Sequence, residues 1–302
     1  MSYCTPVYGR VSAPGEEWIV SEALQKLIEL LDLEELEVNH FRGVSPKETE
    51  QRVFGGQVAG QALVAAARTV NQGTVHSFHS YFLRPGDPKV PILYEVTRIR
   101  DGRSFTTRLV VAIQHGQAIF NLSASFHKEE PGLSYYAPMP AAPPPEGLPS
   151  FQERLKPFEE QLGPASQRPM PIDIRTCDPT DRPPETWREP DACAWLRADG
   201  RLPDDPVLHA CVLTYASDMT LLDTSLRPHG LVWLPDRKIM MASLDHTMWF
   251  HRPFRADEWL LYVQHTPSSS GGRGFATGSV YTREGVLVVS VAQEGLIRQI
   301  DK

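Results

Sequence analysis

The sequence predicts an α+β protein built twice: two domains, each a long antiparallel sheet around one helix, joined by a proline-rich connection. Three observations predict it. Each end of the chain reads as one helix followed by a run of hairpin-linked strands. Short motifs recur in the same order in both halves, YFLRP (81–85) with WFHRP (249–253) and DGRSFTT (101–107) with GGRGFAT (271–277), the signature of internal duplication. Between the halves, Pro131 to Glu185 holds fourteen of the chain's 27 prolines, which fix φ and remove donors and so favour extended connection. At 302 residues there is room for two domains. The expected boundaries are an N-terminal domain over 15–130, a linker over 131–168 and a C-terminal domain over 169–302.

The elements follow in order. VFGGQVAGQALVAAARTV (53–70) leads into a helix whose Gly60, Ala62, Ala65, Ala66 and Ala67 suit close wrapping by a curved sheet. Strand-like runs follow at 76–85, 91–100, 104–114 and 117–128. A short helix near Phe151–Leu162 interrupts the linker. Asp204 and Asp205 then offer caps and Pro206 a tolerated first-turn proline for a helix starting at Val207. Further strands are read at 239–253, 258–266, 271–282 and 285–298. The glycine cluster GGRGF reads as a turn between two of them.

Composition narrows the function. A net charge of -7 disfavours a general nucleic-acid binder, which needs many Lys and Arg phosphate contacts. The N-terminal stretch is too polar for a signal peptide, and no apolar run approaches a membrane span. Cys4, Cys177, Cys193 and Cys211 are scattered without a CxxC pair or zinc spacing, so reduced thiols, no metal and no cofactor are expected. There is no GxSxG elbow, HExxH, Walker A or Rossmann fingerprint, and no cysteine has a histidine neighbour marking it as a nucleophile. Covalent catalysis is not indicated.

Polar residues at apolar positions are the informative ones. In VLHACVLTYASDMTLL (207–222), Asp218 stands eleven residues after Val207, which at about 100° per residue returns to within roughly 20° of the same stripe. A carboxylate there is costly unless paired, or else the helix has surfaced by that point. Alternation in 285–298 places Gln293 with Leu287, Val289 and Val291, and a buried Gln needs partners for both ends of its amide. Ser243 shares a parity with Met241, Asp245, Thr247 and Trp249, as an ordinary strand serine would. His246 and His251 read as surface or satisfied core histidines, since Asp245 and His246 face opposite sides of a strand; His76 and His79 read the same way. FGGQ has two uses. Its glycines let Gly55, Gly56 and Gln57 bring backbone amides to a ligand at a helix N-terminus, or they simply make a tight turn.

RVFGGQVAGQAL, HSFHSYFLRPGDPKVPILYEV, RDGRSFTTRLVVAIQHGQAIF, YASD, SLDHTMWFHRPF and SVAQEGLIR together resemble the type II acyl-CoA thioesterases, which have a double hotdog fold. The resemblance runs from about Glu22 to Arg298. It implies hydrolysis of fatty acyl-CoA to fatty acid and CoA, with Asp218, Ser243 and Gln293 as catalytic residues around one water. First-turn amides at Gly55, Gly56 and Gln57 would polarise the carbonyl. It also implies an acyl-CoA partner, no nucleic acid, no membrane insertion and association into homo-oligomers. Peroxisomal members end in Ser-Lys-Leu or a close variant, whereas this chain ends Gln299-Ile300-Asp301-Lys302, so a cytoplasmic enzyme is expected. The competing readings are a non-catalytic acyl-CoA binding module and a hotdog enoyl-CoA hydratase, which calls for an Asp/His pair.

Overall fold

The computed structural model describes residues 20–46, 52–163, 167–178, 186–231 and 239–300. Cys4, Asp301, Lys302 and the outer limits of the two expected domains lie outside them. In the first half, α1 (Glu22–Leu31) precedes β1 (Glu34–Glu37) and β2 (His40–Gly43). The central helix α2 (Gly55–Ala67) follows, then β3 (Thr74–Phe82), β4 (Ile92–Asp101), β5 (Phe105–Gln114) and β6 (Gln117–His127). The connection carries α3 (Phe151–Leu155) and α4 (Glu159–Leu162). The second half runs β7 (Ile172–Thr176), β8 (Asp191–Ala198), α5 (Pro206–Ser217), a 3-10 segment (Leu222–His229), β9 (Ile239–Ser243), β10 (Asp245–Phe250), β11 (Leu260–Ser270), β12 (Arg273–Thr282) and β13 (Leu287–Gln299).

All of these strands join one antiparallel sheet in the order β1-β2-β4-β5-β6-β3-β10-β13-β12-β11-β8-β7, with β9 also on β13. The order is the same read outward from the centre in either direction once equivalent strands are matched. The seam is β3 against β10, with Phe78 opposite Met248. Inside the sheet, α2 and α5 pack on one another. This is the double hotdog that the sequence resemblance implies.

The central helices are apolar on nearly every face because the sheet surrounds them. In α2 every residue from Gly56 to Ala66 is buried, and in α5 so is Leu208 to Ser217 apart from Tyr215. A single apolar stripe is therefore too narrow a reading of α5. Its start is as the sequence suggests: Asp205 caps it, accepting from the Val207 N–H at 2.9 Å, and Pro206 occupies the first turn. Helix α1, which motif reading overlooks, has an equally plain signal. Ser21 caps it, accepting from the Leu24 N–H at 3.1 Å, and Leu24, Leu27, Ile28 and Leu31 fall on one buried face.

The β11–β12 hairpin turns at Gly271 (φ 56°) and Gly272 (φ 73°). Two consecutive left-handed residues make the turn that matches strand twist, so GGRGF is a hairpin. The proline-rich connection is not loose. Met139, Ala142 and Leu148 cover Trp195, Trp259, Leu261 and Tyr281 on the outer face of the second half. Trp195 Nε1 donates to the Pro143 carbonyl at 2.8 Å, and Arg283 pairs with Glu146 at 2.6 Å.

Candidate active site

Asp218 is the C-cap of α5, at φ -80°, ψ -6°. The helix does end there, yet the residue has not surfaced. It meets the N-terminus of α2, whose cap position Phe54 offers no side-chain acceptor. The Gly56 amide faces the Asp218 carboxylate and favours its ionised form, so a charge from the second half stands against the free amides of the first half's helix start. Two glycines make this approach possible. A Cβ at Gly55 would stand 2.7 Å from Asp218 Oδ2, and one at Gly56 would stand 2.5 Å from the Tyr215 carbonyl oxygen. Phe54 seals the side by packing edge-on against Tyr215, with ring centroids 5.0 Å apart.

Gln293 points inward from β13, as the alternation predicts, between Val291 and Gly295. Its Nε2 donates to Asp218 Oδ1 at 2.6 Å and to Ser243 Oγ at 3.0 Å, and Ser243 Oγ donates to the same Oδ1 at 3.3 Å. A carboxylate only accepts, so the amide must present its NH2 group to it. That leaves Gln293 Oε1 buried without a partner.

Ser243 reaches this cluster through an irregularity that alternation does not reveal. Ser243 pairs with Gly295 and Thr247 with Ala292, four steps on one strand against three on the other. The extra residue around Leu244 is a bulge. It turns Ser243 inward, whereas Thr247 and Trp249, of the same parity, face out.

Burial pushes the Asp218 carboxyl up to about 6, against the opposing pull of the bonds from Gln293 and Ser243, of the Gly56 amide and of the Arg52 charge. Arg52 is held beside β9 by donating to the Met241 carbonyl at 2.9 Å. Asp223, five residues on, is exposed on the 3-10 segment. The segment between them is fixed from β11. Gln264 Nε2 donates to Thr220 Oγ1 at 2.5 Å, and Thr224 Oγ1 donates to Gln264 Oε1 at 2.8 Å. Neither Asp223 nor Gln264 has a motif that would single it out in sequence.

The remaining candidates fall elsewhere. The Gln57 side chain turns away, donating to the Val44 carbonyl at 3.1 Å and to Ser45 Oγ at 3.0 Å. His246 is fully buried, its Nε2 2.9 Å from Ser217 Oγ, and burial pushes it down to about 3. Asp245 faces the other way and accepts from the Glu294 N–H at 2.7 Å. The two therefore form no Asp/His pair.

The first half has the same frame without these side chains. By the matched pairings, His79 with Ser123 and Thr247 with Ala292, Ala124 stands where Gln293 does and Val75 where Ser243 does. The C-cap of α2 is Arg68, which pairs with Asp32 and donates to the Leu33 carbonyl. Arg108, fully buried nearby, donates to Thr69 Oγ1 at 2.8 Å and to Asp101.

Comparison with known proteins points to one family. Residues 186–296 match the family model described as acyl-CoA thioesterase, and residues 45–127 match that of the acyl-CoA thioesterase N-terminal domain. The chain is 43% identical over 283 residues to acyl-coenzyme A thioesterase 8 of Mus musculus, covering 89% of this chain and 88% of that one. It is 36% identical to acyl-CoA thioesterase 2 of Haemophilus influenzae, covering 92% and 99%. Among solved structures, the acyl-CoA thioesterase II TesB2 of Mycobacterium marinum superposes with a TM-score of 0.76 at 46% identity, over 91% of this chain and 99% of that one.

Proposed function

The chain belongs to the type II acyl-CoA thioesterase family and is an acyl-CoA thioester hydrolase, and from that premise we propose direct hydrolysis without an acyl-enzyme, in which Asp218, Ser243 and Gln293 drive a water onto the thioester carbonyl. The observation that carries it is the orphaned Gln293 Oε1 beside the Asp218 carboxylate. A nucleophilic water has two protons to place. Asp218 accepts one and takes it as general base. Gln293 Oε1 accepts the other, leaving the oxygen lone pair aimed at the carbonyl. Ser243 is occupied by its bonds to Asp218 and Gln293, so it orients the carboxylate and the amide. Water suffices because a thiolate leaves readily, and no acyl-enzyme is needed.

The tetrahedral oxyanion needs donors. The first turn of α2 presents the amides of Gly55, Gly56 and Gln57 beyond the reach of intrahelical bonding. With Gly56 facing Asp218, the amides of Gly55 and Gln57 take the substrate oxygen. Each chain carries one such site, shared between its halves. Self-association, a cytoplasmic location and the domain division at 131–168 complete the reading.

Thiol release from acyl-CoA esters of increasing chain length, run beside crotonyl-CoA hydration, tests it. Turnover of the esters without hydration is expected; tight binding without thiol release would make the chain a binding module instead. Two further outcomes follow. Asp218 works only when ionised, so kcat/KM should fall tenfold per pH unit below about 6, the level to which burial raises this carboxyl. Gln293→Leu removes the water's second acceptor and should lower kcat roughly 10²-fold with little change in KM, read by steady-state kinetics.

A further inference from the structure

We propose that Cys177 and Cys193 form a reversible cross-strand disulfide, a redox-responsive modification site on the outer face of the second half. The last residue of β7, Thr176, pairs with Ala194 of β8. Continuing that register sets Cys177 opposite Cys193, and the Cys177 N–H donates to the Cys193 carbonyl at 2.9 Å. Directly opposed residues of an antiparallel pair project to one face, with Cα atoms about 5.5 Å apart at a hydrogen-bonded position. That separation is the commonest one for disulfides. The two side chains are close enough for each thiol to shift the other's ionisation, and both are partly exposed. Sequence spacing alone does not suggest this pair, because fifteen residues separate the two cysteines.

The environment divides the roles. The neighbouring Cys177 thiol, with help from the Arg227 charge, holds the Cys193 thiol below its usual range, while Cys177 is pushed up by its neighbour Cys193 and by burial. Cys193 is thus the attacking thiolate. It displaces one thiolate from a low-molecular-weight disulfide such as glutathione disulfide, forming a mixed disulfide. The displaced thiolate takes the Cys177 proton. Cys177 then attacks the Cys193 sulfur, the new S–S bond forms, and the second thiol leaves. Two protein thiols are oxidised and one small disulfide is reduced to two thiols. Cys211, buried in α5 with its thiol raised by burial, takes no part.

The position gives the bond a structural reach. Asp178, the next residue, pairs with Arg227 at 2.7 Å, on the 3-10 segment that begins four residues after Asp218. Arg154 of α3 donates to the carbonyls of Thr176 and Asp178 at 3.0 and 2.7 Å. The disulfide therefore forms where the connection, the edge strand and the segment beyond Asp218 are tied together.

The test is incubation of the full chain with excess glutathione disulfide, followed by acid quenching, trypsin and mass spectrometry. Cleavage after Arg175, Arg188 and Arg197 separates the two cysteines into peptides 176–188 and 189–197. Recovery of these as one cross-linked species, released by dithiothreitol, is expected. In Cys177→Ser the reaction should stop at a glutathione adduct on Cys193. Separate glutathione adducts on both cysteines of the parent chain, or two persistently free thiols, would overturn the proposal.

Discussion

Asp218→Asn should lower kcat for acyl-CoA hydrolysis by about 10³-fold, within the range of a general base, while acyl-CoA still binds. The loss should not be one of folding. In the folded chain burial raises the Asp218 carboxyl from 3.8 to about 6, so its contribution to stability is complete below about pH 4 and is lost as the pH rises through 6. Above that, the ionised form costs up to about 3 kcal/mol. A neutral amide removes this cost. At pH 8 the variant should melt no lower than the parent, as read by calorimetry, with turnover followed by thiol release. Near-parental kcat in Asp218→Asn would refute the general-base assignment.

The second large effect separates two adjacent glycines. At Gly56 an added methyl would meet the Tyr215 carbonyl at 2.5 Å, a backbone atom of the opposing helix that cannot step aside. Gly56→Ala should therefore push α2 and α5 apart. Overpacking of this kind costs about 3 kcal/mol, roughly a 6–12 °C drop in Tm for a chain of this size. At Gly55 the methyl would meet Asp218 Oδ2 at 2.7 Å and the Phe82 ring at 2.9 Å, both side-chain rather than backbone atoms. Gly55→Ala should fold with a smaller loss of Tm but lower kcat at least 10-fold, because the displaced carboxylate no longer meets the water. Equal effects of the two variants on Tm and on kcat would contradict the division.

The fold was legible because duplication left the same marks twice. YFLRP and WFHRP end the two seam strands, and the two DGR/GGR turns open equivalent strands. The site was legible in part. Asp218 and Gln293 are polar residues at apolar positions, and periodicity finds such positions. Ser243 was not legible from parity, because a bulge at Leu244 reverses the face, and a one-residue shift leaves no mark in composition. It was the resemblance that named it. The role of Gly56 was hidden for another reason: a contact across 160 residues of sequence, made by backbone, has no side-chain signature. Cys177 and Cys193 were set aside as scattered thiols, since only strand register brings them together.

The first half supplies no side chain to the proposed water, yet its helix start stands against the proposed base. In evolutionary terms, duplication left one copy free to drift. Arg68, Val75 and Ala124 stand where the other copy keeps Asp218, Ser243 and Gln293. The freedom stops at Gly55 and Gly56, which must match the far end of α5. Halves exchanged between relatives would therefore yield an active chimera only where that helix-to-helix junction and the β3–β10 seam had been inherited together.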